Sequence, residues 1–256
     1  SARNAQGGIT QNYEHRTNLS EDVTLAAVVG KGGPGAWATT PALISRETFT
    51  KGEAAWSRAY VVGKNVKPAA IAIRATSASA TSEGQGENLK TEVRLGRLRL
   101  GNRFGGHKAI LSMPVTAEYW TGKSWLLNSD DNRTEINQEA FAYKAGATGM
   151  KPKFTFPTQA PLKLKNGAAA FTAQLEQGGP GPVDIAINLG SGTFDDACIG
   201  TSIGTGRAST GAAIPWLRPY TSNCNPAQAR DPYGRATFGV STPENRRIIH
   251  VREVFN

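Results

Sequence analysis

Few residues of the kinds that do chemistry are present. The only imidazoles are His15, His107 and His250. Histidine can act as a general base or a metal ligand. These three lie far apart, and none has a ligand-type residue two or four positions on. They are expected to be surface or strand histidines. Acidic pairs stand at Asp130-Asp131 and Asp195-Asp196. Two carboxylates flanking a bond could serve a glycosidase. Asn128, Asp130 and Asp131, with Asn132, offer the oxygen donors calcium prefers. The glycine and terminal glutamate of an EF-hand loop are missing, and Asp and Asn equally favour turns. Calcium is therefore the one candidate cofactor, at Asn128, Asp130 and Asp131, with the turn reading beside it. No catalytic residue is assigned.

The stretch Gly200–Gly211 (GTSIGTGRASTG) is glycine-rich, but it lacks the order of a phosphate-binding loop and is expected to be a plain loop. It lies between the only two cysteines, Cys198 and Cys224. Their spacing excludes a C-x-x-C redox motif, and two cysteines cannot form a four-cysteine zinc site. They are either two free thiols or one disulfide. Closing that loop by a crosslink is worth about 3.5 kcal/mol in the chain-entropy treatment. The disulfide is the expectation, and it implies an oxidising compartment.

Five tryptophans stand at 37, 56, 120, 125 and 216. Tyr119, Trp120 and Trp125 flank one tight turn, Thr121-Gly122-Lys123. Such aromatics either fill a core or form a platform for sugars. The net charge is +9, with a pI near 9.7, which suits a polyanionic partner or simple solubility. Arg94, Arg97, Arg99 and Arg103 form the densest basic set, with Arg246 and Arg247 near the end. A candidate binding surface thus comprises these four arginines with Tyr119, Trp120 and Trp125, and a polyanion or glycan is its candidate partner.

The elements that must position these groups are strands. The chain has 29 glycines and 14 prolines among 256 residues, and short apolar runs between such breakers are the all-β pattern. Strands are expected at 23–29, 59–62 and 69–75, then at 110–120, 124–127, 235–240 and 247–255. In TEVRLGRLRL (91–100) the apolar parity shifts at Gly96-Arg97, which predicts a β-bulge. Pro114 predicts an edge position or a bulge. Phe171, Ala173 and Leu175 alternate with polar residues, as do Val183, Ile185, Ile187 and Leu189, and QGGPGP between them predicts a hairpin. A short helical turn is expected within 134–143. The polar stretch 76–88 predicts a linker or long loop. The expected architecture is an Ig-like β-sandwich over 1–88 followed by a larger antiparallel β-sandwich over 89–256. No apolar run is long enough for a membrane span. The first residue, Ser1, suggests a processed piece.

Three stretches together carry a resemblance: RLGRLRLGNRF (94–104), VTAEYWTGKSWLLNSDD (115–131) and PYGRATFGVSTPENRRIIHVREVF (232–255). In this order they resemble the C-terminal region of MshQ-type proteins, associated with biogenesis of the mannose-sensitive haemagglutinin (MSHA) pilus, a type IV pilus. ARNAQGGITQNY (2–13) is similar to the start of an Ig-like segment upstream in those proteins. The sequence lacks a cysteine that the family often has near Asn132 or Arg133, so the family's disulfide pattern does not transfer. The resemblance implies an extracytoplasmic, non-enzymatic component of a type IV pilus system, in the periplasm, at the cell surface or on the pilus. Its partners would be pilus or cell-envelope proteins, and its role assembly or adhesion. The alternatives are a surface binder of DNA or acidic polysaccharide, and a secreted hydrolase.

Overall fold

The computed structural model of the protein describes residues 1–28, 35–37, 42–57, 60–62, 66–82, 91–157, 161–190, 210–219 and 231–239. The chain is all-β, with seventeen strands and four short 3-10 turns among the described residues. It divides into two compact units. One comprises Ser1–Leu95 with Trp120–Trp125, the other Gly96–Tyr119 with Leu126–Asn256.

The first unit contains β1 (Val23–Val28), β2 (Gly35–Trp37), β3 (Leu43–Ile44), β4 (Tyr60–Val62), β5 (Ala69–Thr76) and β6 (Thr91–Val93). Their sheet order is β3-β1-β5-β6, with β2 and β4 as a separate pair. Among the described residues of this unit, Ala42, Phe49, Ile71 and Ala72 are the buried apolar set. Tyr13 meets Phe49 edge-on with ring centroids 5.1 Å apart. Glu21 fastens the segment after β5, accepting from the Ser79 N–H at 3.0 Å and its hydroxyl at 2.8 Å.

The second unit contains β7 (Gly96–Leu100), β8 (Arg103–Gly106), β9 (Leu111–Trp120), β10 (Trp125–Leu127), β11 (Glu135–Ile136), β12 (Phe141–Ala145), β13 (Lys151–Thr155), β14 (Leu162–Lys163), β15 (Ala168–Gln177), β16 (Gly181–Ile187) and β17 (Tyr233–Gly239). The turn Trp120–Trp125 that joins β9 to β10 belongs to the first unit. One sheet runs β10-β9-β15-β13, with β7 also paired to β9. The other runs β12-β16-β17-β8. Alternate residues of both sheets meet in one core: Leu98, Leu100, Met113, Val115, Phe171, Ala173, Val183, Ile185, Ala236 and Phe238. This is sheet-on-sheet packing with period-2 burial. Phe141, Phe154 and Phe156 ring Phe171 at centroid distances of 5.0, 5.8 and 5.3 Å. Among the described residues, β7, β13 and β15 enter the first sheet by antiparallel pairing and β12, β16 and β17 join antiparallel in the second, while β8 and β17 run parallel. The rest of the pairing is that of the expected antiparallel sandwich.

Two expected local features are corrected. The alternating segments at 171–189 are not a hairpin. β15 already pairs with β13 and β9, and β16 with β12 and β17, so neither has a free edge for the other. The turn between them carries the chain from one sheet to the other. Alternation demands only one buried face, which both arrangements supply. The parity shift in TEVRLGRLRL is not a bulge. β6 ends at Val93 and pairs with β5, while β7 starts at Gly96 and pairs with β9. The break at Arg94-Leu95 resets the parity.

Pro114 lies within the long central strand β9, but in an edge-like place. Its carbonyl accepts from the Gly101 N–H at 2.9 Å, one step past the last β7–β9 pair, Leu100 with Val115. The N and C=O of one residue point to the same side of a strand, so the missing N–H falls where no ladder partner requires it. A 3-10 turn at Gln138–Ala140 stands within the expected helical segment. No helix among the described residues is long and apolar enough to cross a membrane. The expected strand at 247–255 lies outside the described residues.

Candidate functional site

The expected basic set divides between the units. Arg94 belongs to the first, where it pairs with Glu92. Arg97 and Arg99 alternate with the buried Leu98 and Leu100 on β7, so both point away from the core. Arg97 stands opposite Glu118 in the β7–β9 register, and its Nε donates to Glu118 Oε2 at 2.7 Å. Arg99 Nη1 lies 3.4 Å from Glu118 Oε1. One carboxylate thus serves two guanidinium groups, and the net charge of the cluster is one positive, not two. Arg103, on the sheet edge at β8, donates to its neighbour's carbonyl, Asn102 O, at 2.9 Å.

The aromatic group is also part structural. Trp120 and Trp125 face each other across the turn with centroids 5.6 Å apart and planes tilted by 54°. Both are half-buried, so part of each ring is taken up by its partner. The turn closes through Thr121 N–H to Ser124 O and Thr121 Oγ1 to Ser124 O, both 2.9 Å. Gly122 has φ +98°, a conformation glycine adopts without steric cost. Tyr119 is half-buried and stands opposite Gly96 in the register. Trp216, one of the five tryptophans but outside the expected aromatic cluster, is 68% exposed.

The candidate calcium loop is knitted by its own donors. Asp131 Oδ1 accepts from the Arg133 and Thr134 N–H groups at 3.1 and 2.9 Å, and Oδ2 accepts from Thr134 Oγ1 at 2.7 Å. Asn128 O accepts from Asp131 N–H at 3.0 Å. This is the turn-forming use of Asp and Asn. The loop is also met by a feature the sequence reading passed over. Asn166-Gly167 forms the tight turn into β15, with φ +51° and +75°, the usual Asn-Gly hairpin signal. Asn166 N–H donates to Asn132 Oδ1, and Gly167 N–H to Asp131 O, both at 2.8 Å. Among the described residues, no group of three or more His, Cys, Asp or Glu is placed to hold a metal.

A buried ion pair had no sequence signal. Arg218 Nε donates to Asp231 Oδ1 at 2.8 Å, and the Leu189 N–H donates to the same oxygen at 2.9 Å. The Asp231 side chain is fully buried and that of Arg218 is 9% exposed. On the outer face of β16 and β17, Asp184 takes two hydrogen bonds from Arg235, at 2.6 and 3.0 Å. Those bonds, and then the carboxylate's charge, raise the Arg235 pKa above its ordinary value.

His15 starts a 3-10 turn in the first unit, and His107 is half-buried in the turn after β8 in the second. His250, Arg246, Arg247, Cys198, Cys224 and the Asp195-Asp196 pair lie outside the described residues. So does Gly200-Thr201-Ser202-Ile203-Gly204, whose G-x-S-x-G order corrects the expectation that the chain carries no hydrolase-elbow string. That order is meaningful only after an apolar strand, and the residues before it, FDDACI (194–199), carry two aspartates instead.

No curated protein matches the chain. No solved structure matches it. Residues 94–254 match the family described as DUF6701, fourth domain. That span begins at Arg94, covers β7 to β17 and is more than half of the sequence, and the chain therefore belongs to the DUF6701 family.

Proposed function

We propose that this chain is a non-enzymatic, extracytoplasmic module of an MSHA-like type IV pilus system, acting in pilus assembly or surface adhesion. The observation that carries the reading is the ordered motif set of the resemblance to MshQ-type proteins. GRLRL is β7, YWTGKSW is the β9–β10 connection and YGRATFG is β17, so the motifs are framework elements of the sandwich. A rigid two-sheet body with loops at its ends suits contact with other proteins. The test is deletion of the gene, followed by counts of surface pili and attached cells. Loss of either is the expected result, and normal piliation with normal attachment would overturn it.

The disulfide belongs to the same reading. Cys198 and Cys224 are expected to pair in the exported protein, and two alkylatable thiols under non-reducing conditions would refute this.

Two rivals rank lower. A polyanion binder draws on the net charge, but Glu118 already neutralises part of the densest basic cluster. A secreted hydrolase draws on the 200–204 string, and ester turnover lost on Ser202→Ala would promote it.

A further inference from the structure

Asn166-Gly167 is the one Asn-Gly dipeptide in the sequence. Asparagine before glycine carries a reaction within it. The glycine amide nitrogen, once it loses its proton, attacks the asparagine Cγ. The side-chain nitrogen leaves as ammonia and a succinimide ring forms. Water then opens that ring to aspartate or to isoaspartate. Glycine favours the attack because no Cβ shields its nitrogen. Asn166 is exposed, so water reaches the product ring.

The fold obstructs every step toward that ring. The Gly167 N–H donates to Asp131 O at 2.8 Å, which holds the proton that must leave. The Gly167 C=O accepts from the Ala117 N–H at 2.8 Å, so the residue is pinned on both sides. The Asn166 N–H donates to Asn132 Oδ1 at 2.8 Å. Asn166 stands in the left-handed conformation, with φ +51°. Ring closure requires its ψ to rotate out of that well. The rotation would carry Gly167 with it, and Gly167 is buried against the carbonyl of Asn128.

Three of these restraints, from Asn128, Asp131 and Asn132, belong to one loop, 128–134. No residue of that loop is buried. It is tied by hydrogen bonds such as those of Asp131 to Arg133 and Thr134. A surface segment held in this way opens at lower free energy than the apolar core beneath it.

We infer that Asn166 is a self-modification site, shut while the 128–134 loop is docked and released when the loop lifts. The conversion is one-way. Isoaspartate adds a carbon to the main chain of a two-residue turn, and Gly167 then no longer fits against Asn128. β15, which pairs with both β13 and β9, loses its anchored start. A molecule whose loop has opened is thereby marked and loosened. This rests on the fold of the second unit and is independent of the pilus reading.

The test follows deamidation of the full chain in mildly alkaline buffer, by mass spectrometry of the peptide containing Asn166. The same chain in concentrated urea is the reference. The folded wild type is expected to react at least roughly a hundredfold more slowly than the unfolded chain. Asn132→Ala removes the acceptor for the Asn166 N–H and should speed the folded reaction roughly fivefold. Asn132→Asp keeps the accepting oxygen and should stay near the wild-type rate, with thermal melting as the folding control for both. Sub-denaturing urea tests the gate without any substitution: the rate should climb before the core unfolds. Equal rates in the folded and unfolded chains would overturn the inference. So would a folded-state rate that ignores Asn132→Ala and rises only with global unfolding, because the loop would then not be the gate.

Discussion

A Cβ at position 167 would stand 2.3 Å from the carbonyl oxygen of Asn128. The Asn-Gly turn and the Asn128–Thr134 loop are therefore in backbone contact. Gly167 is fixed twice, by that approach and by its φ of +75°. The left-handed conformation alone costs an ordinary residue roughly 1–2 kcal/mol, and the displaced backbone adds to it. Gly167→Ala is expected to destabilise the unit by about 3 kcal/mol and to lower its melting midpoint by on the order of 10 °C. Differential scanning calorimetry checks this, and an unchanged midpoint would mean that the turn rearranges freely.

Asp231 and Arg218 form the most deeply buried charge pair among the described residues. Asp231→Ala leaves the Arg218 charge and the Leu189 N–H without that acceptor, and breaking such a pair costs about 3–5 kcal/mol. Urea unfolding should show the loss. The double variant Asp231→Leu/Arg218→Met should recover much of it, since the pair as a whole contributes little against apolar replacements.

Glu118 governs how basic the β7 surface is. Glu118→Gln removes the negative charge that faces Arg97 and Arg99. The expected result is later elution from a heparin column and a steeper dependence on salt, at a cost of about 1 kcal/mol or less in stability. Elution at the wild-type salt concentration would show that the two arginines stay held by other groups.

Glu21 gives a prediction in pH. Hydrogen bonds from the side chains of Ser77 and Ser79, then the Ser79 N–H, lower its pKa below the ordinary carboxylate value. A carboxyl whose pKa is depressed on folding adds stability above its unfolded pKa. That stability is lost as pH falls through the lower, folded value. Wild type and Glu21→Gln should therefore differ in melting midpoint at neutral pH, with the wild type higher, and converge in acid. A constant gap across that range would assign the difference to packing.

The all-β class was legible because its signal is redundant: Leu98 and Leu100, Phe171 and Ala173, Val183 and Ile185 each repeat the same two-residue period. Which strand pairs with which was not legible. Phe171–Glu176 and Val183–Leu189 carry the same alternation whether they pair or face each other across a core, and no residue type distinguishes the two. Asn166-Gly167 was the reverse case, a strong local signal left unused because it sits between a two-residue strand and a run of alanines. The site residues divide in the same way. The Arg97–Glu118 pair depends on a register that only the folded sheet sets. Asp131 behaves as Asp does in turns, which its neighbours in the sequence already favoured. Arg218 and Asp231 carry no local pattern at all, since their meeting is a product of how the loops fold back.

The parallel pairing of β8 with β17 also orders events in time. The Arg235 N–H donates to Asn102 Oδ1 across a sequence separation of 133 residues. A ribosome adding about 5–20 residues per second takes on the order of ten seconds to cover that interval. For that time β8 waits without its neighbour, and the core beneath it lacks Ala236 and Phe238. Pairings so distant also slow the folding search itself. The sandwich thus closes only after most of the chain has been made, and a chain that stays open so long can be threaded through a narrow pore before it folds. Pulse-labelled hydrogen exchange on nascent chains stopped before Tyr233 should find β9 and β15 unprotected.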